Sequence, residues 1–305
     1  MTKILVTGGA GFIGSYLVDR LIARGDQVVV LDNLSSGFLE NLNSTAYFLK
    51  GDVRSPDEVR FAATAMIGKV DIIFHLAEYI PNIEGHVIKS SINSPRADMD
   101  VSVGGTINVL ETARDIKAHV VLTSTVAVYG TYSEPIREDF PTLPLSPYGV
   151  NKFSAEEYCR LYSRIHGVKV TIFRLFNNYG TRQKKYVMYD VIQKLLKDPI
   201  HLRLMGDGTE IRDYTYIDDL LSQILTTVDN QTGLYLLQNT GTGRGTQTSE
   251  IVGIICDKMR VNPEIIYDGK WIGNAQRIVS ARHPEEYTDV REGIKHLVQK
   301  LVHGA

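Results

Sequence analysis

The sequence predicts an α/β protein: a Rossmann-type doubly wound parallel sheet with a smaller C-terminal substrate-binding subdomain. Three observations predict it. Short β-branched runs alternate with segments of helical periodicity through the first half, as right-handed βαβ units require. A glycine-rich turn joins the first run to the first helix, and the alternation weakens after about Asn177.

The expected strands are Lys3–Thr7, Gln27–Leu31, Ala46–Lys50, Asp71–His75, His119–Thr123 and Val168–Arg174. Most are continuous apolar runs, the pattern of strands covered on both faces. Between them, helical periodicity predicts helices over Phe12–Arg24, Pro56–Ile67, Ser94–Lys117 and Pro147–His166. Beyond Asn177, glycine punctuation at Gly206-Asp207-Gly208 and from Gly241 to Gly245 marks the smaller subdomain. Residues 1–176 are thus read as mainly dinucleotide-binding and 177–305 as mainly substrate-binding, with some elements returning to the first part. A substrate is expected in the cleft between the two.

Composition narrows the classes. With 43% hydrophobic and 22% charged residues, the 305-residue chain is neither disordered nor fibrous. A net charge of -2 gives no broad basic field for nucleic acid. The two cysteines, Cys159 and Cys256, lie in apolar helical patterns without metal-ligand spacing, so buried thiols in a reducing compartment and no metal are expected. Met1-Thr2-Lys3 runs directly into Ile4-Leu5-Val6, too short for a signal peptide, and no run reaches membrane-spanning length. Cytoplasm is the expected location.

The turn Thr7-Gly8-Gly9-Ala10-Gly11-Phe12-Ile13-Gly14 leaves a strand and opens a helix, the context a phosphate-cradling motif needs. Gly8 suits the tight turn, Gly11 the approach of a pyrophosphate and Gly14 close helix–strand packing, while Phe12 and Ile13 open the helix whose amides face the anion. Asp32 ends the second strand, where a carboxylate can accept from both ribose hydroxyls and would repel a 2′-phosphate. Asn33-Leu34-Ser35-Ser36 contains no arginine to receive that phosphate, so NAD is expected over NADP. Asp52 and Val53, beyond the third strand, are candidates for the adenine end. Leu76 and Ala77, beyond the fourth, are candidates for the cofactor's other half.

Tyr148 and Lys152 are four apart at the start of a helix and share a face. A phenol, ordinarily with a pKa of about 10, becomes a better base beside cations, and Lys152 is one. A hydroxyl to orient the reacting alcohol is expected from Ser124 or Thr125, at the C-terminal edge of the fifth strand.

With these residues assembled, the chain resembles an extended short-chain dehydrogenase/reductase of the NAD-dependent epimerase/dehydratase family. The resemblance rests on the glycine turn, Asp32-Asn33, His75-Leu76-Ala77, Gly105-Thr106-Ile107-Asn108-Val109-Leu110 and Ser124-Thr125 with Val128-Tyr129-Gly130. It rests also on Ser146-Pro147-Tyr148 with Lys152, Arg174 with Phe176-Asn177-Asn178-Tyr179-Gly180, and Gly206-Asp207-Gly208 with Arg212-Asp213. It implies Tyr148 as acid/base, Lys152 on the nicotinamide ribose and Thr125 on the reacting hydroxyl. Asn177, Arg212 and Arg277 are implied for the diphosphate of a nucleotide sugar, a UDP-sugar first among them. A homodimer paired through the two long helices is also implied.

Family reactions begin alike, with oxidation at the sugar C4 to a 4-keto sugar. A 4,6-dehydratase then uses an Asp-Glu pair where this chain has Val126-Ala127, so a 4-epimerase is expected ahead of a dehydratase or decarboxylase. A non-catalytic NAD sensor is the alternative of another class, and retention of both Tyr148 and Lys152 argues against it. Three departures stand out. Glu78 replaces a small residue after His75-Leu76-Ala77 and begins a longer loop, where it is a candidate to bind substrate or act as a base, or to pair with Lys89. Ser102 replaces an asparagine, and Trp271-Ile272-Gly273-Asn274 loses an arginine that Lys270 or Arg277 would have to replace.

Overall fold

The computed structural model describes residues 1–80, 87–269 and 275–304. Part of the loop after Glu78, and the calls on Lys270 and Trp271 to Asn274, fall outside the described residues. In chain order the strands are β1 (Lys3–Thr7), β2 (Gln27–Asp32), β3 (Tyr47–Lys50), β4 (Ile72–His75), β5 (His119–Thr125), β6 (Val170–Leu175), β7 (Asn177–Tyr179), β8 (His201–Leu204), β9 (Ile211–Tyr216), β10 (Tyr235–Thr240), β11 (Gly245–Gln247), β12 (Glu264–Tyr267) and β13 (Arg277–Ile278). Seven of them form one sheet of order β10-β6-β5-β4-β1-β2-β3, and its pairings from β3 through β5 are parallel. That is the doubly wound arrangement, with one strand added beyond β6.

The chain divides into two compact units, each built from several segments. The first comprises Met1–Val128, Pro144–Arg174 and Leu221–Gln238, and the second Tyr129–Leu143, Leu175–Leu220 and Asn239–Ala305. The late segment belongs to the first unit because β10 completes the large sheet. In that unit Leu5, Val29, Leu31, Ile73, Val120, Leu122 and Ile172 of the sheet pack with Val59, Val109, Leu110, Ala155 and Cys159 of the helices, all fully or nearly fully buried. Each large aliphatic among them contributes roughly 1.5–3 kcal/mol over exposure. In the second unit β9 pairs with β7, β11 and β13, and β8 with β12. Its core joins Met188, Val191, Ile192, Ile251, Ile255, Ile294 and Leu297.

Observed strands of the first half lie within two residues of those the pattern predicts, and Pro147–His166 is one helix as expected. The helix expected over Ser94–Lys117 is instead Pro95–Met99, a π-helical segment Asp100–Gly104, and Gly105–Ile116. Thr106 Oγ1 donates to the Ser102 carbonyl at 2.6 Å inside the wide turn, a local bond competing with the regular ladder. Both cysteines are buried and free.

Candidate active site

The glycine turn has the shape of a phosphate cradle. Gly8 has φ +72, and a Cβ there would stand 2.8 Å from the Ala77 amide nitrogen; one on Gly14 would stand 2.2 Å from the Gly8 carbonyl. Gly11 is the N-cap of the helix Phe12–Ala23 and offers no side chain, so the start of the helix, with its dipole behind it, is left open to an anion. At the tip of β2, Asp32 is buried, with Oδ2 accepting from the Ala10 amide at 2.9 Å and Oδ1 from the Leu34 amide at 2.8 Å. Burial pushes its carboxyl up and the two amides oppose that shift. One further lone pair remains on each oxygen, enough for two ribose hydroxyls. These features fit NAD.

Beyond the tips of β2 and β3, Asn33 Nδ2 donates to Asp52 Oδ2 at 2.8 Å. The Arg54 guanidinium grips both oxygens of Asp52 and holds that carboxyl down to about 2. Val53 is buried, and its carbonyl accepts from Asn108 Nδ2. The Leu76 amide donates to the Thr7 carbonyl and the Ala77 amide to Thr7 Oγ1, which pins the β4 exit against the cradle.

His75 is buried between two threonines, Nδ1 2.7 Å from Thr7 Oγ1 and Nε2 3.2 Å from Thr106 Oγ1. Thr106 spends its proton on the Ser102 carbonyl, so it accepts from Nε2–H, and Nδ1 accepts from Thr7. Burial and then the Lys152 charge drive the ring down to about 3. It is a neutral structural histidine.

The helix Pro147–His166 is started by Ser146, whose Oγ accepts from the Gly149 amide at 3.2 Å, and by Pro147 in its first turn; Gly167 in the left-handed region closes it. Tyr148 is half-buried in that first turn and Lys152 is buried one turn on. A Cβ on Gly149 would lie 2.6 Å from the Ala127 carbonyl, so the helix start sits directly on the segment leaving β5.

The two hydroxyls at that strand end have different partners. Ser124 Oγ donates to Glu156, whose carboxylate is buried and paired with Arg174 through Nη2–Oε2 at 2.6 Å and Nε–Oε1 at 3.0 Å. The structure thus engages Ser124, one of the two candidate hydroxyls, with the buried ion pair. Adjacent residues of a strand face opposite ways, which leaves Thr125, buried, with Oγ1 accepting from the Ala127 amide at 3.2 Å.

Among the described residues Glu78 pairs with Lys152 and not with Lys89. Its Oε2 lies 3.2 Å from Lys152 Nζ, and its Oε1 accepts from Ser102 Oγ and from the Tyr79 amide, each at 3.0 Å. The Ser102 cluster, with Asp98 and Asn151 behind it, has no signal in the sequence beyond the departure at 102 itself.

In the second unit, Asn177 is half-buried at the start of β7. Arg212 on β9 is buried, and its Nη1 donates to the carbonyls of Ile211 at 2.9 Å and Gln276 at 3.3 Å. Burial lowers its pKa. Arg277 pairs with Ile211, not Arg212, and its guanidinium lies with the Ile211 and Val279 side chains near Gly245. Strand alternation sends it to the opposite face from Arg212, so the structure does not bring these two candidate arginines together on one face.

Comparison with known proteins places the fold in a known family. A putative UDP-glucose 4-epimerase of Methanocaldococcus jannaschii is 36% identical over 311 residues, covering 97% of each chain. Among solved structures, a UDP-glucose 4-epimerase from Thermotoga maritima with UDP-glucose superposes with a TM-score of 0.88 at 29% identity, over 99% of both chains. A UDP-glucose 4-epimerase from Thermus thermophilus in complex with NAD gives 0.87 at 30% identity, over 97% of this chain and 98% of that one. The sequence model of the NAD dependent epimerase/dehydratase family matches residues 4–235, and the chain belongs to that family of enzymes.

Proposed function

We propose that the chain is a nucleotide-sugar 4-epimerase, acting on a UDP-sugar through a transient 4-keto sugar. The observation that carries this reading is the segment following Thr125. Val126, Ala127 and Val128 form a short 3-10 turn, Val126 and Val128 buried, with no group able to move a proton at C5 or C6. Glu78, the other candidate base, has both oxygens engaged by Lys152, Ser102 and Tyr79.

Bound NAD supplies the hydride acceptor and donor. Tyr148 takes the proton of the sugar 4-hydroxyl and returns it to the 4-oxygen after the ring has turned; Thr125 orients that oxygen, and the Lys152 charge favours the phenolate. Arg212 has carbonyls rather than a carboxylate as partners among the described residues, which leaves its charge available for the diphosphate, with Asn177 as a second donor.

The setting proposed is a cytoplasmic homodimer. No helix among the described residues is long and apolar enough to cross a membrane. Val150, Tyr158 and Ile165 on the helix Pro147–His166 are exposed, which supports pairing through that helix.

Proton NMR of the protein with NAD and a panel of UDP- and dTDP-hexoses, hexosamines and uronic acids in deuterated water tests the reaction. A 4-epimer free of ring deuterium is expected. A keto or unsaturated sugar carrying solvent deuterium would replace the reading with a dehydratase, and a pentose product with a decarboxylase.

A further inference from the structure

Lys152 sits in the helix Pro147–His166 with its side chain only 5% exposed. An ammonium at that depth needs a counter-charge to stay both charged and in place, because an uncompensated buried charge is strongly unfavourable. Among the described residues Glu78, Nζ–Oε2 3.2 Å, is its ion-pair partner. That carboxylate is itself fixed, since Oε1 accepts from Ser102 Oγ and the Tyr79 amide.

The contacts continue and close on themselves. Ser102 Oγ is also 2.8 Å from Asp98 Oδ1, so one hydroxyl proton bridges two carboxylates. Asp98 is fully buried, and its Oδ2 accepts from Ser91 Oγ at 2.5 Å and from Asn151 Nδ2 at 2.9 Å. Asn151 precedes Lys152, so the chain of polar contacts leaves the helix at Lys152, passes through Glu78, Ser102 and Asp98, and returns at Asn151. Ser102 reaches both carboxylates from the π-helical turn Asp100–Gly104.

We propose that Glu78 is a positioning residue: with Ser102 and Asp98 it clamps the Lys152 ammonium in one place, one helical turn from Tyr148. Lysine's flexible four-carbon stem makes such a clamp effective, because its head is otherwise free to wander. Both oxygens of Glu78 take part in the clamp, and the role assigned to it is to hold the lysine. The kinetic consequence rests on the roles proposed for Tyr148 and Lys152; the structural one does not.

The test uses full-length protein with 15Nζ-labelled lysine, with and without NAD, and the same variants in kinetics. An exchange-protected Nζ signal is expected in the wild type, assigned by its loss in Lys152→Met. It should be lost in Glu78→Gln and shifted or broadened in Ser102→Ala. Turnover in Glu78→Gln should fall about 10- to 100-fold with the sugar-nucleotide KM within about twofold, as expected for a misplaced catalytic group. The double variant Glu78→Gln/Ser102→Ala should be no slower than Glu78→Gln alone, because Ser102 acts through Glu78. A Lys152 signal that stays protected in Glu78→Gln overturns the proposal, whether turnover survives or is abolished, and so does an unmoved signal in Ser102→Ala should Glu78→Gln not fold. If the wild type epimerises no sugar, the functional reading fails while the Nζ spectra still decide the clamp.

Discussion

Tyr148 carries the proton in this account, and Tyr148→Phe keeps the ring and its packing while removing that proton carrier. Turnover should fall by about 10²–10⁴, with NAD still bound, as measured by single-turnover kinetics and cofactor titration. A loss of less than tenfold would move the acid/base role elsewhere. Ser124, one residue from Thr125, should behave in the opposite way. Ser124→Ala leaves the buried Glu156–Arg174 pair one hydrogen bond short, so denaturant titration should show a stability loss of about 1–3 kcal/mol, with little change in turnover per folded molecule. At this scale the sequence reveals the helix-borne pair Tyr148 and Lys152, because a helix start and a spacing of four are local facts. Which of two neighbouring hydroxyls is held by a buried ion pair is not local. It depends on Glu156 and Arg174, which the fold brings to Ser124 from another helix and strand. The Glu78–Lys152 pair is hidden for the same reason.

Among the elements, the glycine turn is the most sharply determined. Gly14→Ala would drive a methyl to 2.2 Å from the Gly8 carbonyl and 2.8 Å from the Gly9 Cα, against backbone that cannot yield without moving β1 from the helix. We expect a loss of about 1–3 kcal/mol in stability and a weakened grip on NAD, checked by denaturation without cofactor and by titration with it. Unchanged NAD affinity would mean that the helix start is not the phosphate site. The strands of the large sheet are legible because residues buried on both faces must be apolar throughout, as in Ile4 to Val6 and Val28 to Leu31. The break at Asp100–Gly104 is not, since a helix keeps its apolar stripe through one wide turn and only Ser102 and the paired Gly104-Gly105 differ from the pattern. The second unit is harder still. β7, β11 and β13 have three, three and two residues, too short for any alternation to register.

For the molecule as a whole, two buried histidines tie folding to pH. His119, hydrogen-bonded to Thr171 Oγ1, is brought down to about 4, first by burial and then by the Lys169 charge, and His75 to about 3. Unfolded, each would titrate near 6.5, so below that pH the unfolded chain binds protons that the folded chain refuses. Stability should therefore fall as pH drops from 7 to 5, by up to about 1.4 kcal/mol per pH unit for each histidine, until the folded values near 4 and 3 are reached. His119→Gln should reduce that slope by one proton in denaturant titrations across the range; an unchanged slope would show that His119 is protonated in the fold. The central claim concerns chemistry, and one isotope tests it most directly. With UDP-hexose deuterated at C4, in ordinary water, a single bound NAD, and a ring that turns between oxidation and return, the deuterium should reappear at C4 of the epimer without loss. Deuterium lost to solvent, or found at another carbon, would contradict the 4-keto route and the roles assigned to Tyr148 and Lys152.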